Sequence, residues 1–235
     1  MRIFGVRVDE MGMAEALRRV EEAPGDGPFL VVSINPEILM HARQDPAYRA
    51  ALNRASLNIP DGVGVLVAAR FHRRPLPERV PGIDLAQAFL ARGRRRVFLY
   101  GGLPGVAEAA ARYLSSLNPK LEVVGVAHGF QDGEGDRRVR EEIRARAPDV
   151  LLVGLGFPKQ ELWLDRHRPE LPVRVAMAVG GSFDIWSGRK RRAPPFVRRL
   201  GFEWAYRLIT EPRRVRRMLA LPLFLWYALR DRPDG

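Results

Sequence analysis

Short, continuously apolar runs alternate along the chain with longer segments whose apolar residues recur at helical spacing. The runs predicted as β-strands cover residues 29–32, 96–100, 121–126, 150–153 and 173–179. The segments predicted as helices cover residues 11–22, 46–55 and 134–147 and the stretches 63–69 and 106–116. Strands that are apolar throughout are typical of a parallel sheet covered on both faces. The pattern therefore predicts an α/β fold with a mostly parallel, Rossmann-like sheet and helices on both faces.

Three further segments carry local predictions in the N-terminal part of the chain. Residues 2–8 are predicted to form one short strand. Residues 58–62 combine Asn, Pro, Asp and Gly, which is typical of a turn, and an apolar helix is expected directly after them. Pro36 is expected to begin another helix, because proline suits the first helical position.

Four of the predicted strands end in polar or glycine-rich loops, at residues 33–35, 101–105, 154–161 and 180–184. In open α/β sheets, ligands bind beyond the carboxyl ends of the strands. Glycines there let backbone N–H groups approach a phosphate, and the following helix N-terminus favours negative charge. None of the loops is a Walker loop or the dinucleotide fingerprint. Together they predict a nucleotide-type ligand, with ordinary turn chemistry as the alternative.

Asp61 is the carboxylate that the spacing singles out, because it lies between Pro60 and Gly62 where a helix is expected to begin. One interpretation is a helix cap or turn residue. The other is a general base held in the ligand crevice. No Asp-x-Asp pair occurs, and the histidines have no metal-ligand spacing, so neither a metal site nor a cofactor is predicted. A diphosphate would instead be bound by arginines and backbone amides.

Positive charge is concentrated at the C-terminal end. The formal net charge is +12, and residues 189–235 hold thirteen Arg or Lys against four Asp or Glu. This break predicts an α/β core at residues 1–188 and a basic, aromatic, helical appendage at 189–235. An apolar stripe recurs there at Phe196, Leu200, Trp204 and Leu208. A cation cluster at 213–217 directly precedes an oily run, which is typical of an interfacial membrane anchor; nucleic-acid binding is the competing interpretation.

The longest apolar run, residues 218–229, is twelve residues long and contains Pro222. A membrane-spanning helix needs about 20 apolar residues, so we expect this segment to lie on a membrane and not to cross it. The first residues lack the apolar stretch of a signal peptide, and the chain has no cysteine. The expected location is the cytoplasm, in peripheral contact with the inner face of the cell membrane. An exposed apolar tail is also compatible with a homo-oligomer.

Nine short segments identify a family when they are taken in order. They are Ser-Ile-Asn-Pro-Glu at 33–37, Ile-Pro-Asp-Gly-Val-Gly at 59–64, Arg-Val-Pro-Gly-Ile-Asp at 79–84, Gly-Leu-Gly-Phe-Pro-Lys-Gln-Glu at 154–161, Gly-Gly-Ser-Phe-Asp at 180–184, Arg-Ala-Pro at 192–194, Glu-Trp at 203–204, Tyr-Arg-Leu at 206–208 and Glu-Pro-Arg-Arg at 211–214. Each alone is modest, but the ordered set is specific. Over nearly its whole length the chain resembles the WecG/TagA/CpsF glycosyltransferases.

The resemblance implies an inverting, metal-independent hexosyltransferase. Such an enzyme would move a sugar, N-acetylmannosamine in the best-known case, from a UDP-sugar to a polyprenyl-diphosphate-linked N-acetylglucosamine. The products would serve teichoic acid, exopolysaccharide or other cell-wall biogenesis at the cytoplasmic membrane face. The resemblance also implies a C-terminal appendage that closes over the active site and touches the membrane.

The resemblance also implies roles for individual residues. Asp61 would be the catalytic base. Ser33, which stands where relatives usually have Thr, keeps a hydroxyl for substrate, and Asn35 would contact sugar or acceptor. Arg207, Arg213 and Arg214 would stabilise the departing UDP. The remaining expected substrate-binding residues are Gly62, Arg79, Gly82, Asp84, Gly101, Gly102, Gln160, Glu161, Gly180, Gly181 and Asp184.

Overall fold

The computed structural model describes residues 1–25, 27–199, 203, 205–206 and 220–230. Three residues expected to stabilise UDP, Arg207, Arg213 and Arg214, lie outside these ranges, as do the cation cluster at 213–217 and most of the apolar stripe that begins at Phe196.

A six-stranded parallel sheet forms the centre of the protein, with the strand order β4-β3-β8-β7-β5-β6. Its strands are β3 (Phe29–Ile34), β4 (Leu57–Pro60), β5 (Arg95–Gly101), β6 (Leu121–Ala127), β7 (Val150–Gly154) and β8 (Val175–Ala178). The residues of β4, β7 and β8 are almost all buried, as expected for strands covered on both faces. The predicted α/β class and parallel sheet are confirmed.

Helices cover both faces of this sheet and follow most of its strands. They are α1 (Met13–Glu21), α2 (Pro36–Gln44), α3 (Pro46–Arg54), α4 (Val63–Phe71), α5 (Gly82–Leu90), α6 (Val106–Leu117), α7 (Gly133–Arg146), α8 (Lys159–His167), α9 (Ser182–Trp186), α10 (Pro195–Arg199) and α11 (Ala220–Arg230), with a 3₁₀ turn at Arg168–Glu170. One apolar core packs α2, α3, α4, α7, α8 and α11 on one face, and a second packs α1, α5, α6 and α9 on the other.

The N-terminal residues form a hairpin and not the single strand predicted for 2–8. The strands β1 (Arg2–Ile3) and β2 (Val6–Arg7) pair antiparallel. Between them, Phe4 and Gly5 both have positive φ, 52° and 75°. Two consecutive positive φ values are the signature of the two-residue turn that reverses a strand. The apolar pattern was therefore interpreted correctly as β structure, but the turn within it was missed.

The turn predicted at residues 58–62 was wrong for its first half. Residues 57–60 form β4, which lies at the edge of the sheet and pairs only with β3 among the described strands. Pro60 is tolerated because an edge strand needs no N–H donor on its outer side. Pro60 is also the last residue of the strand, paired with Ile34, so the turn residues Asp61 and Gly62 follow directly.

The C-terminal helix α11 packs against α2 and α4. Phe224 and Ala228 are fully buried in the core of that face, and the ring of Phe224 meets that of Phe4 edge-on at 5.7 Å. The carbonyl oxygen of Ala228 lies 2.9 Å from His72 Nε2. Part of the region predicted as an appendage thus shares the core of the α/β unit. Among the described residues, no helix is long and apolar enough to span a bilayer.

Candidate functional site

A cavity of about 450 Å³ lies beyond the carboxyl ends of four adjacent strands, β4, β3, β8 and β7. Ser33 and Asn35 line it from β3, and Asp61 lines it from the end of β4. Residues 155–160 follow β7, residues 178–182 cover the end of β8, and residues 190–192 complete the wall. The loops predicted to meet at this edge of a parallel sheet therefore meet there, with the exception of the loop after β5.

Asp61 is held at this edge by the backbone on both sides of it. Its N–H donates to the carbonyl oxygen of Ile34 at 2.7 Å, and the preceding carbonyl of Pro60 accepts from Val80 N–H at 2.7 Å. Gly62 follows with a φ of 107° and occupies the N-cap position of α4. This left-handed conformation suits glycine, and it turns the chain away so that Asp61 stays at the cavity wall.

Ser33 and Asn35 present their side chains to the cavity under different constraints. A β-carbon added at Gly82 would overlap Ser33 Oγ, so the glycine allows the hydroxyl to sit against the start of α5. Asn35 caps α2, and its side-chain oxygen accepts from Ile38 N–H at 3.0 Å. Since the oxygen serves the cap, a ligand contact by Asn35 would come from its amide nitrogen, which is a hydrogen-bond donor.

Gln160 lines the cavity from the first turn of α8 and belongs to a buried hydrogen-bond chain. Its Oε1 accepts from Gly180 N–H at 3.0 Å, and its Nε2 donates to Glu161 Oε1 at 2.6 Å. The Tyr48 hydroxyl donates to the other Glu161 oxygen at 3.0 Å. Burial raises the pKa of the Glu161 carboxyl, while the hydrogen bonds from Gln160 and Tyr48 act to lower that pKa.

The raised pKa of Glu161 predicts how stability depends on pH. A carboxyl group that binds its proton more tightly in the folded state adds stability at low pH, and that stability is lost as pH rises through the folded pKa. We therefore expect the free energy of unfolding of the wild type, relative to Glu161→Gln, to fall as the pH rises above 4.5, the ordinary pKa of a glutamate side chain. Urea unfolding at several pH values measures it. A difference that stays constant with pH would contradict the shift.

Four cationic side chains line the cavity together with two carboxylates. Lys159, Lys190, Arg191 and Arg192 line the cavity, against Glu37 and Asp61 as the acidic residues among the described lining side chains. The helices α2, α5 and α8 also begin at the cavity. Cationic side chains and helix N-termini both favour a negatively charged ligand such as a diphosphate.

Arg192 belongs to a cluster of four charged side chains at the edge of the cavity. Its guanidinium bonds both oxygens of Asp84, at 2.5 and 2.7 Å, and lies 3.8 Å from Glu203. Glu203 in turn pairs with Arg79 at 3.1 Å. Burial acts to lower the pKa of Arg192, but Asp84, Glu203 and Asp61 together hold that pKa above its ordinary value. The cluster ties the segment after α9 and Glu203 to the start of α5.

The other expected binding residues lie around the cavity and not on its wall. Gly101 ends β5 and Gly102 follows it. A β-carbon at Gly101 would overlap the backbone of Gly154, so this glycine permits close pairing of β5 with β7. Asp184 faces Arg189 and Lys190 at 3.7 and 3.5 Å. Within the described part of the chain, the expected residues that do not line the cavity are Gly62, Arg79, Asp84, Gly101, Gly102, Glu161 and Asp184.

Several residues of this site carry no assignment from the sequence. Arg192 lies in the Arg-Ala-Pro segment already recognised, and its place in that motif was a usable signal. Lys190 and Arg191 lie just after the break in charge. No sequence pattern pointed to a role for Tyr48 in the site, because its partner Glu161 is 113 positions away. In the parts of the chain that the structure describes, no group of three or more His, Cys, Asp or Glu side chains could hold a metal ion.

Comparisons with known proteins agree with the family that the motifs indicate. The whole chain, residues 1–235, matches the family described as Glycosyl transferase WecG/TagA/CpsF family. A protein of Bacillus spizizenii named N-acetylglucosaminyldiphosphoundecaprenol N-acetyl-beta-D-mannosaminyltransferase is 38% identical over 207 residues, covering 87% of this chain and 79% of its own length. A Staphylococcus aureus protein of the same name is 34% identical over 230 residues, covering 95% of this chain and 90% of its own length. The chain is therefore a glycosyltransferase and belongs to the WecG/TagA/CpsF family.

Proposed function

We propose that this enzyme transfers N-acetylmannosamine from a UDP-activated donor to N-acetylglucosamine carried on a polyprenyl diphosphate, with inversion at the anomeric carbon. The observation that carries the proposal is that the Asp61 carboxylate and four cationic side chains line a single cavity. The names of the two relatives describe transfer of N-acetyl-beta-D-mannosamine to N-acetylglucosaminyldiphosphoundecaprenol. The product would enter teichoic acid or another cell-surface polysaccharide.

Asp61 acts as the general base in the proposed mechanism. It removes the proton from an acceptor hydroxyl while that oxygen forms its bond to the anomeric carbon of the donor. The bond from the anomeric carbon to the diphosphate oxygen breaks on the opposite side, which inverts the configuration. The electron pair leaves with UDP. The position of Asp61 at the cavity wall, fixed by two backbone hydrogen bonds around it, supports this role.

The charge that develops on departing UDP is stabilised by cations in this proposal. Arg191, Arg192 and Lys190 line the cavity, and arginine binds phosphate oxygens two at a time. Arg207, Arg213 and Arg214 are proposed to stabilise the departing UDP as well. The cluster of Arg192, Asp84, Glu203 and Arg79 supports it, because this cluster attaches the C-terminal region to the cavity.

The remaining assignments describe how the two substrates are held. Asn35 and Ser33 serve the acceptor side of the cavity, and Gln160 serves the donor side. Arg79 and Asp184, which lie outside the cavity wall, act on the donor side through their ion pairs with Glu203 and Lys190. The backbone of Gly180 and Gly181, at the cavity wall, approaches the donor phosphates. Gly62, Gly82, Asp84, Gly101, Gly102 and Glu161 shape the surrounding loops. Their close backbone and ion-pair contacts support that part of the proposal.

Donor binding tests the proposed substrate class. We expect a calorimetric titration of the purified protein in EDTA to show binding of UDP and much weaker binding of ADP. Replacing Arg191 by Gln should weaken UDP binding by about ten- to a hundredfold, because a charged hydrogen bond contributes roughly 1.5–3 kcal/mol. Arg94→Gln is the control, because it removes the same charge from a side chain that is 81% exposed and does not line the cavity. Equal binding of UDP and ADP would contradict a uridine-specific site.

Residues 189–235 are proposed to contact the inner face of the cell membrane as a peripheral appendage. Three apolar side chains at helical spacing on α11 support the proposal: Leu223, Trp226 and Leu229 are 45%, 44% and 59% exposed. Arg230 lies over the Trp226 ring at 3.8 Å and brings a cation to the same surface. The comparisons give no support to the nucleic-acid alternative.

Vesicle binding tests this surface. Replacing Trp226 and Leu229 together by Ser should abolish sedimentation with vesicles that contain an anionic phospholipid, because the apolar face is lost. Phe130→Ser is the control, since Phe130 is 69% exposed on the loop after β6. Equal binding of the control and the double variant would contradict the assigned surface.

A further inference from the structure

Tyr48, Glu161, Gln160 and Gly180 form one continuous hydrogen-bond chain from α3 to the loop after β8. The links are 3.0, 2.6 and 3.0 Å long. Tyr48 is fully buried, and Glu161 and Gln160 are 3% and 5% exposed. Of these side chains, only that of Gln160 lines the cavity. The other two reach the cavity through it.

These hydrogen bonds determine which way the Gln160 amide is oriented, that is, which partner its oxygen meets and which partner its nitrogen meets. In its ionised form Glu161 can only accept hydrogen bonds, and both of its oxygens do so here, so it requires the amide nitrogen of Gln160 on its side. The backbone N–H of Gly180 can only donate, so it requires the amide oxygen on the other side. Both requirements agree, which makes the orientation of the amide unambiguous. One N–H of the amide goes to Glu161, and the second N–H is the donor that Gln160 can offer to a ligand.

We propose that Tyr48 and Glu161 are positioning residues that hold the Gln160 amide with an N–H donor toward the substrate. Neither residue contacts the ligand in this proposal. Glu161 acts on the ligand through Gln160, and Tyr48 acts through Glu161. The ligand group that this donor fits is an acceptor, such as a sugar hydroxyl, an acetamido carbonyl or a phosphate oxygen. The inference rests on the proposed function, because it requires that Gln160 meets the sugar nucleotide.

The same series of hydrogen bonds also holds the loop after β8. Gly180 has a φ of 52°, and both Gly180 and Gly181 line the cavity. The Gln160 oxygen fixes the Gly180 N–H, so the amide and the loop are set together. Loss of the Tyr48 hydroxyl would leave one oxygen of a buried carboxylate without its donor, which favours protonation of Glu161. A protonated Glu161 no longer requires a nitrogen from Gln160, so the fixed orientation would be lost.

The test compares two conservative substitutions in the same core. Tyr48→Phe removes the hydroxyl bound to Glu161, and Tyr100→Phe removes a similar hydroxyl that donates to Asp136 at 3.1 Å. Both tyrosines are buried in the core of the same sheet face. We expect Tyr48→Phe to lower kcat/KM for the sugar nucleotide by about ten- to a hundredfold, and Tyr100→Phe to change it by less than about threefold. Equal losses would overturn the inference.

Two additional measurements separate positioning from general structure. In a Gln160→Ala background, Tyr48→Phe should cause no further loss, because its route to the substrate is gone; additive losses would overturn the inference. Hydrogen exchange at the Gly180 amide should accelerate in Tyr48→Phe and not in Tyr100→Phe. If the wild type transfers sugar and these contrasts are absent, only the positioning role fails. If the wild type transfers no sugar, the proposed function fails and the inference with it.

Discussion

Asp61→Asn is expected to lower the rate of sugar transfer by about two to four orders of magnitude, the range that a positioned general base contributes. The substitution preserves the size of the side chain and removes its ability to take a proton. The backbone bond from residue 61 to Ile34, which holds this position at the end of β4, does not depend on the side chain. We therefore expect the variant to fold normally and to bind UDP. Steady-state transfer to a lipid-linked acceptor measures the loss.

The control for this variant removes the same charge from the same cavity. Glu37→Gln neutralises the second carboxylate among the described lining residues, and we expect it to cost less than about tenfold. A general loss of negative charge would affect both variants alike. If Asp61→Asn keeps transfer within a few-fold of the wild type, Asp61 is not the base. If both variants lose activity equally, the effect of Asp61 is electrostatic and not proton transfer.

Phe224→Ala is expected to lower the free energy of unfolding by about 3–5 kcal/mol, the usual cost of truncating a fully buried phenylalanine. Phe224 is fully buried, packs edge-on against Phe4 and lies beside Gly64. Its loss would leave a cavity between α11 and the core of the α/β unit. For a domain of this size the melting temperature should fall by roughly 6–20 °C. Urea and thermal unfolding measure the change.

The neighbouring residue gives a matched control for this substitution. Leu223 is 45% exposed on the same helix, and Leu223→Ala should change the free energy of unfolding by no more than about 0.5 kcal/mol. The helix propensities of Phe and Leu differ by less than about 0.7 kcal/mol, so a difference of several kcal/mol between the two variants reports packing. If the two variants have the same free energy of unfolding, α11 does not share the core of the α/β unit.

The parallel sheet and the edge at which its ligand loops meet could be predicted from local pattern. Apolar runs of four to seven residues followed by Gly, Asn or Ser identify buried strands and their carboxyl ends. Parallel pairing then brings Ser33, Gln160 and Gly180 together, and all three line the cavity. The loop after β5 has the same composition, yet its strand lies outside the four that border the cavity. Strand order, which local pattern does not contain, made that difference.

The remaining features depend on contacts between distant parts of the chain. The pairing of Arg192 with Asp84 spans 108 positions, and that of Tyr48 with Glu161 spans 113. Each side chain alone resembles an ordinary surface arginine or core tyrosine. Strand β4 was missed because Asn58 and Pro60 favour turns, while its position at the sheet edge tolerates them. The buried face of α11 could not be predicted, because a single apolar run contains both its core residues and its exposed residues.

The measurement that most directly tests the account is transfer itself. The wild-type protein would be incubated in EDTA with UDP-N-acetylmannosamine and a polyprenyl-diphosphate-linked N-acetylglucosamine, and the lipid product analysed by mass spectrometry and NMR. The account predicts a product longer by one N-acetylhexosamine, with inverted anomeric configuration and one UDP released for each sugar transferred. Release of UDP without lengthening of the acceptor, or a product that retains the donor configuration, would contradict it.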